Sequence, residues 1–232
     1  MPRRAQSSGA CAPRAVTHCD GRRSAVLLAA LAVCVGWTGH APAEEGSSTI
    51  TRVEEDWRIV VDQPDLETTS PQITVVCSPD GDLVGPYAVF ELNYQNLPEF
   101  AAGGLQLQSW VNDQSVRVVP HERVNSLATP GEELTFTMSL ATVDGDLVMS
   151  VTNGQSTTWG AFGQGNSLSL RDSFGVSDLN AYTSAASLKY SKPGFGGNRV
   201  SELTLVEVRY YSGEQLVRTD DTPRPAEALS GN

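Results

Sequence analysis

The chain has 232 residues, with 16 basic against 27 acidic side chains and a formal net charge of −11. That balance argues against nucleic acid or an anionic membrane as a partner, because both are bound mainly by neutralising phosphates. With 3 histidines and 4 cysteines there is little material for a multi-histidine zinc site or a disulfide framework.

In chain order the first element is a leader. A basic stretch ending in Arg22-Arg23 runs into an apolar segment from Ala25 to Val35, then Ala41-Pro42-Ala43, then Glu44. Positive, apolar and A-x-A in that order is the pattern of a secretory signal peptide, so residues 1–43 are expected to leave on export. The apolar segment, about 11 to 14 residues, is shorter than the ~20 that a spanning helix needs, so no membrane insertion is expected after cleavage. The export route stays open between the general, twin-arginine and lipoprotein pathways. The product is expected outside the cell, in the periplasm or in the envelope. Cleavage removes five arginines, one aspartate, two histidines and three cysteines, leaving 11 basic and 26 acidic residues with His121 and Cys77. A lone cysteine on an apolar strand is expected to be a small buried hydrophobe.

Residues 44–52 read as a polar extension, and one domain is expected over 53–218. Period-two alternation dominates it. Ala88, Phe90, Leu92 and Tyr94 fall on one face of their segment, and Leu105, Leu107, Ser109 and Val111 alternate with Gln106, Gln108 and Trp110. Successive strand side chains point to opposite faces, so each segment predicts a strand with one apolar face. Further strands are predicted at 57–61, 73–77, 116–119, 134–140, 147–151, 168–170, 186–190, 200–211 and 215–217. Asp80-Gly81, Asp144-Gly145, Asn153-Gly154 and Ser212-Gly213 read as turns. Only 177–182 suggests a helical turn, and 219–232 reads as a disordered tail. About ten one-sided strands must bury their apolar faces against one another, which predicts an all-β, two-sheet antiparallel β-sandwich of jelly-roll type.

The candidate sites follow from that frame. A glycan site needs aromatic faces to stack on sugar rings, with amides and carboxylates to read hydroxyls. Trp110 shares a polar face with Gln106 and Gln108, while Trp159 and Phe162 lie in a Gly-rich loop that could alternatively cap the sandwich. A glycosidase needs two carboxylates, about 5–5.5 Å apart for retention of configuration and wider for inversion. Glu91 and Glu207, each mid-strand between apolar neighbours, are the weak candidates for that pair. No cofactor is expected beyond a structural calcium ion. Its weak candidate ligands are Asp56 and Asn198, should the first and last strands meet, and the turn aspartates Asp80, Asp82, Asp144 and Asp146. Local hydrogen bonding explains those turn aspartates more simply.

The opening Val53-Glu54-Glu55-Asp56-Trp57, the run Gly103-Gly104-Leu105-Gln106-Leu107-Gln108, the Trp159-Gly160 loop and the strand start Gly197-Asn198-Arg199-Val200 carry a resemblance. The chain resembles secreted bacterial β-sandwich proteins of unassigned activity. Its layout is similar to that of concanavalin A-like lectins and glucanases, which include laminin G-like domains. The resemblance implies first and last strands that lie side by side. It does not extend to the Glu-x-Asp-x-x-Glu strand motif of the glucanases, which is missing here. Three functional readings stand: a non-catalytic lectin-like module for a neutral glycan, an envelope or matrix domain that meets other proteins, and a divergent glycoside hydrolase.

Overall fold

The computed structural model describes residues 48–62, 72–94, 104–121, 127, 129–194 and 196–227. The expected leader lies outside the described residues. The larger of two antiparallel sheets contains β1 (Arg52–Val61), β6 (Glu132–Val143), β7 (Asp146–Ser156), β8 (Gly160–Phe162), β9 (Ser169–Asp172), β11 (Val200–Ser212), β12 (Gln215–Asp220) and β13 (Arg224–Pro225), numbered in chain order. Its order is β12-β11-β1-β6-β7-β8, with β9 on β7 and β13 on β11. The smaller sheet has the order β10-β2-β3-β4-β5, from β2 (Ile73–Cys77), β3 (Pro86–Tyr94), β4 (Gly104–Val111), β5 (Gln114–His121) and β10 (Lys192–Pro193). The first and last long strands do pair, β1 running antiparallel to β11.

Alternation is the reason for this arrangement. Along β1 every second residue, from Val53 to Val61, is buried, while Arg52, Glu54, Asp56, Arg58 and Val60 look outward. Trp57, Ile59, Phe136 and Leu140 of the larger sheet join Val75, Phe90, Leu92 and Leu107 of the smaller in one core. Two one-sided sheets so placed remove each other's apolar faces from water, the dominant favourable term in folding. The architecture is an all-β, sandwich-like fold, and no helix among the described residues is long and apolar enough to cross a membrane.

Several sequence expectations need correction. Residues 186–190 belong to a helix, α1 (Ser184–Tyr190), and not to a strand. The Thr183 hydroxyl accepts from the Ala185 N–H and caps its start, and Ala185-Ala186 favours helix over sheet. The helix stops before Lys192-Pro193, where the approach of proline disfavours helical backbone. At 177–182 there is a single turn and no helix, the Tyr182 N–H donating to Leu179 O at 3.1 Å. Residues 219–227 are not a free tail, because β13 pairs with β11 and Ala226 is fully buried. Residues 228–232 lie outside the described residues. Asn153-Gly154 is no hairpin turn but a bulge within β7, where two residues oppose Phe136 of β6. Asn153 takes the left-handed backbone at φ +54°. A Cβ on Gly154 would fall 2.3 Å from the Phe162 ring.

Phe162 itself is a core residue, 2% exposed, and packs on Phe90 and Phe136 with ring centroids 6.4 and 6.2 Å away. Phe162→Ala should therefore cost about 3–5 kcal/mol, read as a lower urea midpoint at unchanged slope. A loss below about 1 kcal/mol would mean that the ring does not support the core.

Candidate functional site

The outer face of the smaller sheet gathers most of the residues expected to bind a ligand. Antiparallel pairing of β3 with β4 sets Glu91 opposite Gln106, Val89 opposite Gln108, and Tyr87 opposite Trp110. Cross-strand pairs of this kind bring side chains into direct contact. The Trp110 and Tyr87 rings lie nearly parallel, 6.3 Å apart and inclined by 23°. The Trp110 indole N–H donates to Gln108 Oε1 at 2.7 Å, and the Gln108 amide donates in turn to Gln106 Oε1. Trp110 is half-buried, and with Leu83 and Tyr190 it covers Val76, Tyr87 and Val89, which point away from the main core. Glu91 accepts from the Gln72 amide at 3.3 Å, and burial raises its carboxyl above the ordinary range against that hydrogen bond. Burial and the neighbouring Asp113 carboxylate push the Tyr87 phenol up to about 12, and its hydroxyl donates to Asp113 at 3.3 Å. An aromatic step, two linked amides and a carboxyl therefore share one face.

The other expected site residues lie elsewhere. Glu207 is on the outer face of the larger sheet, ion-paired with Arg209 at 2.6 Å. Glu91 and Glu207 thus occupy opposite sides of the molecule and cannot flank one glycosidic bond, which two-carboxylate chemistry requires. Phe162 is in the core, so its assignment to ligand binding is corrected. Trp159 rests half-buried against it, with ring centroids 5.5 Å apart. The buried Glu132 carboxylate ties down this turn, accepting from the Ser156, Thr157 and Thr158 hydroxyls and from the Thr158 N–H. Trp159 packs, partly buried, against the core.

Asp56 does not meet Asn198. Its carboxylate is held by Arg209 and by the Thr137 hydroxyl at 2.6 Å, whereas Asn198 is exposed in a short 3-10 turn (Gly197–Arg199) preceding β11. Asp80 and Asp82 accept from backbone N–H groups of their own turn, and Asp146 is engaged by Arg171 and Ser173. Among the described residues no group of three or more His, Cys, Asp or Glu side chains could hold a metal ion.

One cluster was not visible in the sequence. Glu55, in the middle of the acidic opening, points inward and is fully buried. It accepts from Trp57 Nε1 at 3.0 Å, from the Tyr182 hydroxyl at 2.5 Å, and from the Ser187 hydroxyl. The buried Cys77 thiol lies beside it. Among the described residues no cation touches it, and burial raises the carboxyl despite its hydrogen-bond donors; burial also pushes the Cys77 thiol and Tyr182 phenol well up. The knot joins β1 to β2 and to α1 across the core.

The fold and its platform define an all-β, two-sheet protein with an aromatic–amide surface. Comparison with protein-family models, with curated proteins and with solved structures found no match for this chain. None of these comparisons supports the resemblance to concanavalin A-like proteins.

Unfolded, Glu55 titrates near the ordinary value of 4.5. The native state holds the proton to higher pH, so this contribution to stability is complete below 4.5 and lost as pH rises through the folded value. Glu133, Asp146 and Asp220 are shifted down and act in the opposite sense, losing stability as pH falls through their folded values. Urea unfolding above pH 5 should thus show wild-type stability declining with pH, and Glu55→Gln should flatten that decline. Parallel pH profiles for the two proteins would contradict the upward shift of Glu55.

Proposed function

We propose that this protein is a secreted, non-catalytic, lectin-like module that binds a neutral glycan on the outer face of its smaller sheet. On this reading the sandwich is of the concanavalin A-like, jelly-roll kind, and the protein works outside the cell or in its envelope without a cofactor. The observation that carries the reading is the half-buried Trp110 ring beside Gln106 and Glu91, backed from beneath by the buried Tyr87 and Gln108. An indole offers a flat apolar face to sugar C–H groups, and amides donate and accept to neighbouring hydroxyls. A carboxyl with a raised pKa can remain a donor further up the pH scale than an ordinary one. The overall negative charge favours a neutral ligand over an anionic one.

A second reading, an interaction domain for an envelope protein, draws on β5. That strand is an edge of the smaller sheet, and its Val116 and Val118 are 55% and 42% exposed. Unpaired edges are templates for added strands.

Affinity electrophoresis of the exported protein through gels containing neutral polysaccharides separates the two. Retardation by at least one polysaccharide, weakened roughly tenfold or more by Trp110→Ala, is the expected result. Gln106→Ala should weaken it while leaving the aromatic packing and thermal unfolding unchanged. Mobility that no polysaccharide changes would remove the glycan reading.

A further inference from the structure

Across the larger sheet, two bulges fall in one row. On β11 the pairing with β1 slips between Asp56 and Trp57, so that Val206 is an extra residue. On β7 the pairing with β6 slips between Thr135 and Thr137, so that Asn153 and Gly154 together oppose Phe136. Asp56 pairs with Thr137, and Trp57 with Phe136, so the two irregularities flank the same stretch of the central strands β1 and β6. Bulges bend and twist a sheet locally and re-aim side chains. Here the outward face is dented into a cavity of about 300 Å³ lined by Asp56, Arg58, Thr135, Thr137, Asn153 and Val206.

The charges around this cavity are already matched. Arg58 lies against both oxygens of Glu133 at 2.9 and 3.1 Å and also bonds Glu202, and Arg209 holds Asp56, Glu54 and Glu207. An anionic ligand would meet carboxylates, and a cationic one would have to displace a guanidinium. What remains unengaged is neutral. The Asn153 amide gives one hydrogen to Thr137 Oγ1 at 3.2 Å, which leaves its second hydrogen and its carbonyl oxygen. Thr135 adds a hydroxyl that no described residue engages, and Val206 adds an apolar patch. The relay from Asn153 to Thr137 to Asp56 fixes the amide in place before any ligand arrives.

We infer that this double-bulge cavity is a second binding site, on the face opposite the Trp110 platform, for one uncharged polyhydroxylated ring the size of a monosaccharide. The volume lies at the lower end of the range for small-molecule sites. Neighbouring ring hydroxyls meet the Asn153 amide and the Thr135 hydroxyl, and a C–H face covers Val206. The site does not depend on the platform reading.

The test is amide chemical-shift perturbation of the full chain titrated with D-glucose, D-galactose, D-mannose and D-xylose. Glucuronate and methylguanidinium serve as charged probes. At least one neutral sugar should shift the amides of Thr135, Thr137, Asn153 and Val206. Thr135→Val keeps the shape and loses the hydroxyl, and Asn153→Gly keeps the left-handed backbone and loses the amide. Each should weaken the response on the order of tenfold. Trp110→Ala should leave these shifts intact, which separates failure of one site from failure of the other. No neutral sugar shifting these amides, shifts insensitive to both substitutions, or tighter binding of a charged probe would each overturn the inference.

Discussion

The structure turns on the alternation of β1. This strand is paired along its whole length on both sides, with β11 and with β6, so a slip of one residue would exchange its two faces. Inward it supplies Val53, Trp57, Ile59 and Val61 to the core, and it supplies Glu55 to the knot that reaches Cys77, Tyr182 and Ser187. Outward it supplies Glu54, Asp56 and Arg58 to the ion pairs around the double-bulge cavity. Burying a carboxyl without partners would cost several kcal/mol, so the hydrogen bonds from Trp57, Tyr182 and Ser187 make an inward Glu55 tolerable. The donors from outside the strand fix the register, because an outward Glu55 would leave Tyr182 and Ser187 without this acceptor.

Much of this was legible in the residues. Where one face was apolar, as in Ala88–Leu92, Leu105–Val111 and Leu134–Leu140, alternation located the strand and its buried side, and Asp144-Gly145 marked the β6–β7 hairpin. Trp110, Gln106 and Gln108 do share a face, because period two holds along β4. The first half of β1 was hidden. Glu54-Glu55-Asp56 contains an inward carboxylate, and its partners Tyr182 and Ser187 lie more than a hundred residues away. Hydropathy cannot anticipate a buried polar group satisfied from such a distance.

Asn153-Gly154 misled for a different reason. The dipeptide favours left-handed backbone wherever it occurs, and that conformation serves a bulge as well as a turn. Only the register of β6 against β7 distinguishes the two, and register is a property of the assembled sheet. Likewise 186–190 alternated weakly enough to suggest a strand, but the threonine cap and paired alanines decided for a helix. That helix also covers the edge of the smaller sheet, where the Val76 N–H donates to Ser191 Oγ at 2.9 Å.

The two outer faces differ in a way that bears on function. The smaller sheet carries a half-buried Trp110 over the buried Tyr87, with Gln106 beside it, while the larger sheet carries a dent with neutral polar groups between matched charges. Both depend on strands that cannot shift without exchanging faces, so β1 must be among the last elements to open. Native-state hydrogen exchange measures this directly. The amides from Val53 to Ile59 should exchange only through global unfolding, with an opening free energy equal to that from urea, while β5 and β12 at the sheet edges open locally. Amides of β1 that exchange more readily than those of the edge strands would contradict the account.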